Sequence, residues 1–175
     1  MVTMSDYENQ VRIGTSPERV FEVLTNVAEF AAWWAPATGS AAEGGKLRIT
    51  FDGLDDPLVL RVKLAACPSA VRWEVLECAF LPDWIGTTPV VTLSQDGAAG
   101  CHLQFRHEGL SPQLECYQMC RAGWEQYLPS LRDYIQTGKG NPYTLARLAL
   151  TLWSLWPAGL RGREAVDGVL ARGRQ

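Results

Sequence analysis

The chain has 175 residues, of which 47% are hydrophobic and 20% charged, and its net charge is −3. This composition predicts one globular domain with a sizeable core and room for an appendage. The charge is uneven, because residues 1–142 carry 11 Lys and Arg against 17 Asp and Glu, whereas residues 143–175 carry five Arg against two acids. The acidic balance of the first part argues against nucleic-acid binding.

The N-terminal residues lack the cationic start and apolar run of a signal peptide. The five cysteines have no metal-ligand spacing and are typical of reduced thiols. We therefore expect a cytoplasmic protein that holds no metal and no cofactor.

The first elements of the chain are a strand and two short helices. Apolar and polar residues alternate over residues 7–13, which predicts a half-buried strand. Thr15–Glu18 (TSPE) has the cap, proline and glutamate of a helix start. Asn26 can cap a second helix that runs to Trp34 and that Pro36 stops.

Five more strands follow the small-residue loop of residues 37–45. Apolar alternation or strand-forming composition places them at about residues 47–51, 58–64, 71–75, 87–94 and 101–107. Because short turns join most of these strands, the sequence predicts an antiparallel sheet with helices on one face.

The longest helical pattern covers residues 109–140. Its apolar residues recur at three- and four-residue steps and form one stripe. Ser111 is the predicted N-cap with Pro112 at the first helical position, and Gly138 is the predicted C-terminal glycine. Such a helix must lay its stripe on the preceding sheet.

Residues 143–175 form a C-terminal extension in this interpretation, separate from a domain of residues 1–142. Leucines at three- and four-residue steps predict an apolar helix from about Tyr143 to Trp156, followed by a loose Arg- and Gly-rich end. The helix is too short for a confident membrane span. Three hypotheses stay open: it docks on its own domain or on a second copy, lies on a membrane, or stays mobile.

Several segments together resemble one known superfamily. They are Thr15–Phe21, Phe30–Trp34, Gly44–Gly45, Val71–Trp73, Trp84 with Gly86–Thr87, Phe105–Leu110, Gly123–Trp124, Tyr127–Leu128, Leu131 and Tyr134–Pro142. This set resembles the START-like helix-grip superfamily, also called SRPBCC. Within it, the chain is most similar to the group named after the activator of heat-shock protein 90 ATPase.

The resemblance implies an α+β helix-grip fold. Two short helices would follow the first strand, and a curved antiparallel sheet of about six strands would wrap the long C-terminal helix around an apolar cavity. Members of the superfamily bind lipids, sterols, polyketides and other apolar molecules, and some are cyclases. The resemblance carries nothing over to residues 143–175.

Apolar walls with few polar groups are typical of small-molecule sites. The predicted ligand-binding residues are Trp33, Trp34, Phe51, Trp73, Trp84, Phe105, His107, Met119, Cys120 and Trp124. The alternative for each is that it only packs against its neighbours in the core.

His107 is the one candidate catalytic residue, since strand alternation turns it toward the helix. Its alternative is a structural histidine bonded to backbone. Cys116 and Cys120 share one side of the helix but lack a second ligand pair, so we expect no metal there. The acids near the cavity mouth, Asp83, Glu108 and Glu115, show no catalytic pairing.

Three functions remain open from sequence. The first is binding of an apolar small molecule in the cavity, with a homodimer through the extension as a further expected assembly. The second is a cyclase or hydrolase that uses His107 in the same cavity. The third is a co-chaperone-like protein–protein module whose partner surface is the extension. Whether the chain is an enzyme is left undecided.

Overall fold

The computed structural model describes residues 5–147. Seven strands form one antiparallel sheet in the order β1-β7-β6-β5-β4-β3-β2. The strands are β1 Tyr7–Ile13, β2 Ala37–Gly39, β3 Lys46–Ile49, β4 Leu58–Ala66, β5 Ala70–Glu77, β6 Thr88–Asp96 and β7 Gly100–Glu108. The helices are α1 Pro17–Thr25, α2 Phe30–Trp33 and α3 Tyr117–Thr137, with short 3-10 turns at Val27–Glu29 and Pro82–Trp84.

This architecture confirms the predicted α+β helix-grip fold. The first strand pairs with the last one, from Tyr7 opposite His107 to Ile13 opposite Cys101. Along β7 the inward side chains are buried and the outward ones are not, as period-two alternation requires. The face of β7 that carries Phe105 and His107 therefore lies toward α3.

The structure has seven strands rather than about six. Residues 37–39, predicted as part of a loop, form β2 and pair with β3, with Ala37 opposite Ile49 and Gly39 opposite Leu47. A Cβ on Gly39 would lie 2.1 Å from the Lys46 carbonyl oxygen, so only glycine allows this approach. Because β2 is short and mostly exposed, it carries no apolar alternation by which sequence could have revealed it.

The predicted start of the first short helix is confirmed, whereas Asn26 caps the 3-10 turn Val27–Glu29 and α2 itself begins only at Phe30. Ser16 caps α1 by accepting a hydrogen bond from the Arg19 amide, and Pro17 occupies the first turn. Asn26 accepts from the Ala28 amide at 3.1 Å. These caps set the direction in which α2 enters the core.

The predicted start of the long helix at Ser111 is wrong. The Ser111 hydroxyl donates to Gln113 Oε1 at 2.8 Å, its carbonyl accepts from the Leu114 amide in a turn, and α3 begins only at Tyr117. The predicted end is confirmed, because Gly138 has φ 78° and donates its amide to the Tyr134 carbonyl.

One stripe of α3 is buried on the sheet. Cys120, Trp124, Leu128 and Leu131 are each at most 4% exposed, and their three- and four-residue spacing places them on one side of the helix. The N-terminal half of the stripe carries Cys120 and Trp124. The C-terminal half is aliphatic.

The start of the predicted extension packs on the domain. The Tyr143 amide donates to the Trp34 carbonyl at 2.7 Å, and its hydroxyl donates to the Asp52 carbonyl at 2.8 Å. The hypotheses on the rest of the apolar helix and on the Arg- and Gly-rich end concern residues 148–175, which lie outside the described residues. Within residues 5–147, no helix is long and apolar enough to cross a membrane.

A buried hydroxyl joins α3 to both segments beside it. Ser130, 1% exposed, donates to the Trp33 carbonyl at 2.7 Å and accepts from the Asn141 amide at 2.6 Å. This link holds the end of α2, and with it the Trp33–Trp34 pair, against α3.

Ser130→Ala should destabilise the fold by about 1–3 kcal/mol, because it leaves a buried carbonyl and a part-buried amide without partners. Urea denaturation measures the change, with the exposed Ser94→Ala as the matched control. Equal stability of the two variants would contradict the assigned role of Ser130.

Candidate functional site

Seven aromatic side chains meet between the sheet and α3, and we call them the aromatic layer. They are Phe30, Trp33, Trp34, Trp73, Trp84, Phe105 and Trp124. All are buried, with at most 7% of any side chain exposed. The sequence predicts six of the seven as ligand-binding residues and misses Phe30.

Trp124, on the N-terminal half of α3, is the centre of the layer. Its ring centroid lies 4.4 Å from that of Phe105 on β7 and 5.2 Å from that of Trp34 after α2. The Trp84 ring stacks on it at 6.1 Å with an interplanar angle of 3°. Trp124 therefore joins helix, sheet and the Pro82–Trp84 turn in one set of contacts.

The α2 side of the layer is equally continuous. Phe30 lies 5.6 Å from Trp33 and 6.3 Å from Trp73, centroid to centroid. Trp34 lies 5.5 Å from Trp33 and 6.2 Å from Trp73. The two indoles Trp33 and Trp73 thus flank the same two rings, Phe30 and Trp34.

Two predicted lining residues lie apart from this layer. Phe51 follows the end of β3 and packs on Phe80 and Tyr143, at centroid distances of 5.5 and 5.0 Å. Met119 is partly exposed. Sequence reasoning also missed Tyr127, whose ring lies 6.2 Å from that of Trp34. Tyr127 could have been predicted from the sequence, because it lies three residues after Trp124 on the apolar stripe.

His107 is fully buried beside Trp124, and its protonation state follows from its partners. The Trp124 indole N–H donates to His107 Nδ1 at 3.0 Å, so Nδ1 must carry a lone pair. The Thr87 hydroxyl donates to the Trp84 carbonyl at 2.6 Å and lies 2.8 Å from His107 Nε2. Nε2 therefore carries the proton and donates to Thr87 Oγ1.

Burial lowers the pKa of His107 to about 3, against a weaker opposing effect of Asp6. The imidazole is neutral near pH 7, and both of its nitrogens are occupied by protein groups. A general base needs a free lone pair within reach of substrate, so this geometry adds no support to the catalytic alternative. His107 instead fixes the orientation of the Trp124 ring.

Cys120 lies on the same side of α3 as Trp124 and is also hydrogen-bonded, since the Trp84 indole N–H donates to its sulfur at 2.9 Å. The hydrogen bond with Cys116 and burial both raise the pKa of the Cys120 thiol, which keeps it protonated. Within residues 5–147 no group of three or more His, Cys, Asp or Glu side chains could hold a metal ion. Asp83 and Glu115 are exposed.

The interior of the described chain contains no buried Asp, Glu, Lys or Arg. The indole nitrogens of Trp33 and Trp73 are buried in this interior without a hydrogen-bond partner among the described residues. An unsatisfied buried donor costs about 1–3 kcal/mol, and such groups are rare in native proteins.

The neutral state of His107 makes stability depend on pH. The unfolded histidine has the ordinary pKa of 6.5, whereas the folded one stays neutral down to about pH 3. Stabilisation is therefore complete above pH 6.5 and is lost as the pH falls from 6.5 toward 3.

From pH 7 to pH 5 the free energy of unfolding should fall by about 2 kcal/mol. His107→Gln should remove most of this fall, because glutamine keeps a donor and an acceptor but does not protonate. His102→Gln is the control, because His102 lies half-buried on the outward side of β7. Urea titrations at both pH values measure the effect, and an unchanged slope in His107→Gln would refute the assignment.

The family model for activator of Hsp90 ATPase homolog 1-like proteins matches residues 14–136 of this chain. No curated protein matches the chain. Similar solved structures include the solution structure of the Aha1 dimer from Colwellia psychrerythraea, with a TM-score of 0.67 and 22% identity over 78% of this chain and 100% of that one.

Two further structures show the same likeness. The HSP90 activator PFC0360w from Plasmodium falciparum has a TM-score of 0.62 and 15% identity over 77% of this chain and 97% of that one. CalU16 from Micromonospora echinospora has a TM-score of 0.63 and 17% identity over 96% of this chain and 88% of that one. At these identities the likeness shows the fold. Since the family model spans most of the sequence, the chain belongs to the family of activator of Hsp90 ATPase homolog 1-like proteins.

Proposed function

We propose that this protein binds an uncharged, apolar small molecule of lipid, polyketide or aromatic type between the sheet and α3. The observation that carries the proposal is the aromatic layer itself. Its rings come from α2, β5, the Pro82–Trp84 turn, β7 and α3, and they meet in an interior without a buried Asp, Glu, Lys or Arg among the described residues. Apolar, aromatic walls of this kind are typical of small-molecule sites.

The electrostatics of the layer support a neutral ligand. At its edge His107 is held neutral by burial, and the raised pKa of the Cys120 thiol keeps that group neutral as well. A charged ligand would be buried without a counter-ion, which is strongly unfavourable. An uncharged molecule meets no such penalty and gains from burying its apolar surface.

The proposed site lies under the N-terminal half of α3. Trp34, Trp73, Phe105 and Trp124 would supply most of the wall, with Trp33, Trp84 and Cys120 at its margins. His107 would act as a positioning residue, because it fixes the Trp124 ring through Nδ1. Phe51 and Met119 lie outside the proposed site.

Native mass spectrometry of the purified protein, followed by organic extraction, tests the binding. We expect an uncharged adduct that is reduced at least ~10-fold in Trp124→Ala, since losing one wall aromatic removes several kcal/mol of contact. Leu131→Ala is the matched control, because it removes a fully buried side chain of the same helix outside the layer.

Absence of any adduct in the wild type, together with no thermal shift in a broad apolar library, would contradict the proposal. So would equal loss of the adduct in both variants, since that would make the effect one of stability alone.

A protein–protein function is the competing proposal, supported by the family assignment and by the likeness to the Plasmodium falciparum HSP90 activator. In this alternative the residues after Arg147 supply the partner surface. The Colwellia psychrerythraea dimer supports the related proposal of a homodimer. Both place the function outside the aromatic layer.

Truncation after Arg147 separates these proposals, because it keeps the docked Tyr143. The competing function predicts that the full chain raises the ATPase rate of an HSP90 and that the truncated chain does not. Small-molecule binding predicts the same adduct in both. Light scattering on the two chains tests the homodimer, which requires the mass to halve on truncation.

A further inference from the structure

Two buried donors in the aromatic layer lack partners, and this limits what the layer can bind. Trp33 and Trp73 are each 1% exposed, and neither indole Nε1 has a hydrogen-bond partner among the described residues. The indoles of Trp84 and Trp124 differ, because they donate to Cys120 and His107. The layer therefore has a satisfied side toward β7 and an unsatisfied side toward α2 and β5.

An indole N–H can only donate, so its missing partner must be an acceptor. We propose that the ligand of this site is an uncharged apolar molecule with carbonyl-type oxygen, such as a ketone, quinone, ester or lactone, and that Trp33 and Trp73 bind that oxygen. This inference rests on the proposed small-molecule function and names the ligand class of the same site.

Carbonyl oxygen fits these donors better than water or a carboxylate does. A carbonyl accepts hydrogen bonds through two lone pairs and brings no donor of its own. Water would bring two further donors, for which the neighbouring rings of Phe30 and Trp34 carry no acceptor oxygen. A carboxylate would need a cation, and no buried Lys or Arg lies in the described interior.

The positions of the two indoles agree with one extended ligand. Trp33 ends α2 and Trp73 lies in β5, and both flank Phe30 and Trp34. A flat molecule against these two rings would bring its polar edge to the indole donors while its apolar body faces Trp124. The donors would then set the orientation of the ligand, and the rings would supply most of the affinity.

Matched probe pairs test the proposal, each pair with the same shape with and without a carbonyl: fluorenone and fluorene, benzophenone and diphenylmethane, and 2-undecanone and undecane. For at least one pair, the wild type should bind the ketone ~10-fold more tightly, the worth of satisfying one buried donor. Isothermal titration calorimetry gives the ratio.

In the double variant Trp33→Phe/Trp73→Phe this ratio should fall to about one while the hydrocarbon still binds, because phenylalanine keeps an aromatic ring but no donor. Tyr143→Phe is the control and should keep the preference, since it also loses a donor but keeps its ring, and its hydroxyl donates to the Asp52 carbonyl outside the proposed site. In spectra of 15N-labelled protein, the ketone should move the Trp33 and Trp73 indole signals downfield, and the hydrocarbon should not.

The outcomes distinguish small-molecule binding itself from the preference for a carbonyl oxygen. Equal affinity for ketone and hydrocarbon in the wild type overturns the carbonyl inference and leaves small-molecule binding standing. A preference that survives in the double variant, or disappears in Tyr143→Phe, overturns the assignment to Trp33 and Trp73. Failure of every probe to bind, with no adduct on the purified protein, overturns the proposed function as well.

Discussion

The hydrogen bond from the Trp124 indole to His107 Nδ1 is the contact on which the rest of the site depends. It fixes the histidine tautomer, so that Nε2–H donates to Thr87, whose hydroxyl in turn donates to the Trp84 carbonyl. The Trp84 indole then donates to Cys120, which returns the chain of hydrogen bonds to α3. A closed polar circuit thus ties α3 to β7 and to the Pro82–Trp84 turn.

This circuit explains why polar atoms are tolerated in an interior that is otherwise aromatic. Each of its members satisfies the next, and buried polar networks stabilise only when they are satisfied throughout. Protonation of His107 would remove the acceptor for the Trp124 indole and break the circuit. The circuit therefore requires the neutral imidazole that burial favours. The imidazole therefore orients the layer, and its burial lowers its pKa to about 3.

Much of this arrangement can be predicted from the sequence. What cannot be predicted is which side chains come into contact. Alternation along residues 101–107 places Phe105 and His107 on the inner face, and helical spacing places Cys120 and Trp124 opposite them. The spacing of apolar residues predicts which face of a helix or strand is buried, but it does not predict which side chains that face contacts. It could not foresee that Phe51 would pack on Phe80 and Tyr143.

The misjudged helix start and the missed strand have a related cause. Ser111 and Pro112 form a sound helix start in isolation, but a turn intervenes and α3 begins at Tyr117. In both places local chemistry permits more than one structure, and contacts distant in sequence decide between them. The partnerless indoles likewise follow from three-dimensional packing that no periodic pattern records.

Small-molecule binding requires that the aromatic layer admit an apolar molecule between the sheet and α3. Diffraction from crystals pressurised with xenon tests it directly, because xenon occupies apolar cavities in proteins. We expect a xenon atom among the rings of Trp34, Phe105 and Trp124, and we expect fluorenone to displace it when the crystals are soaked. Rings closed against one another, with no xenon between them and no ligand density in their place, would contradict it.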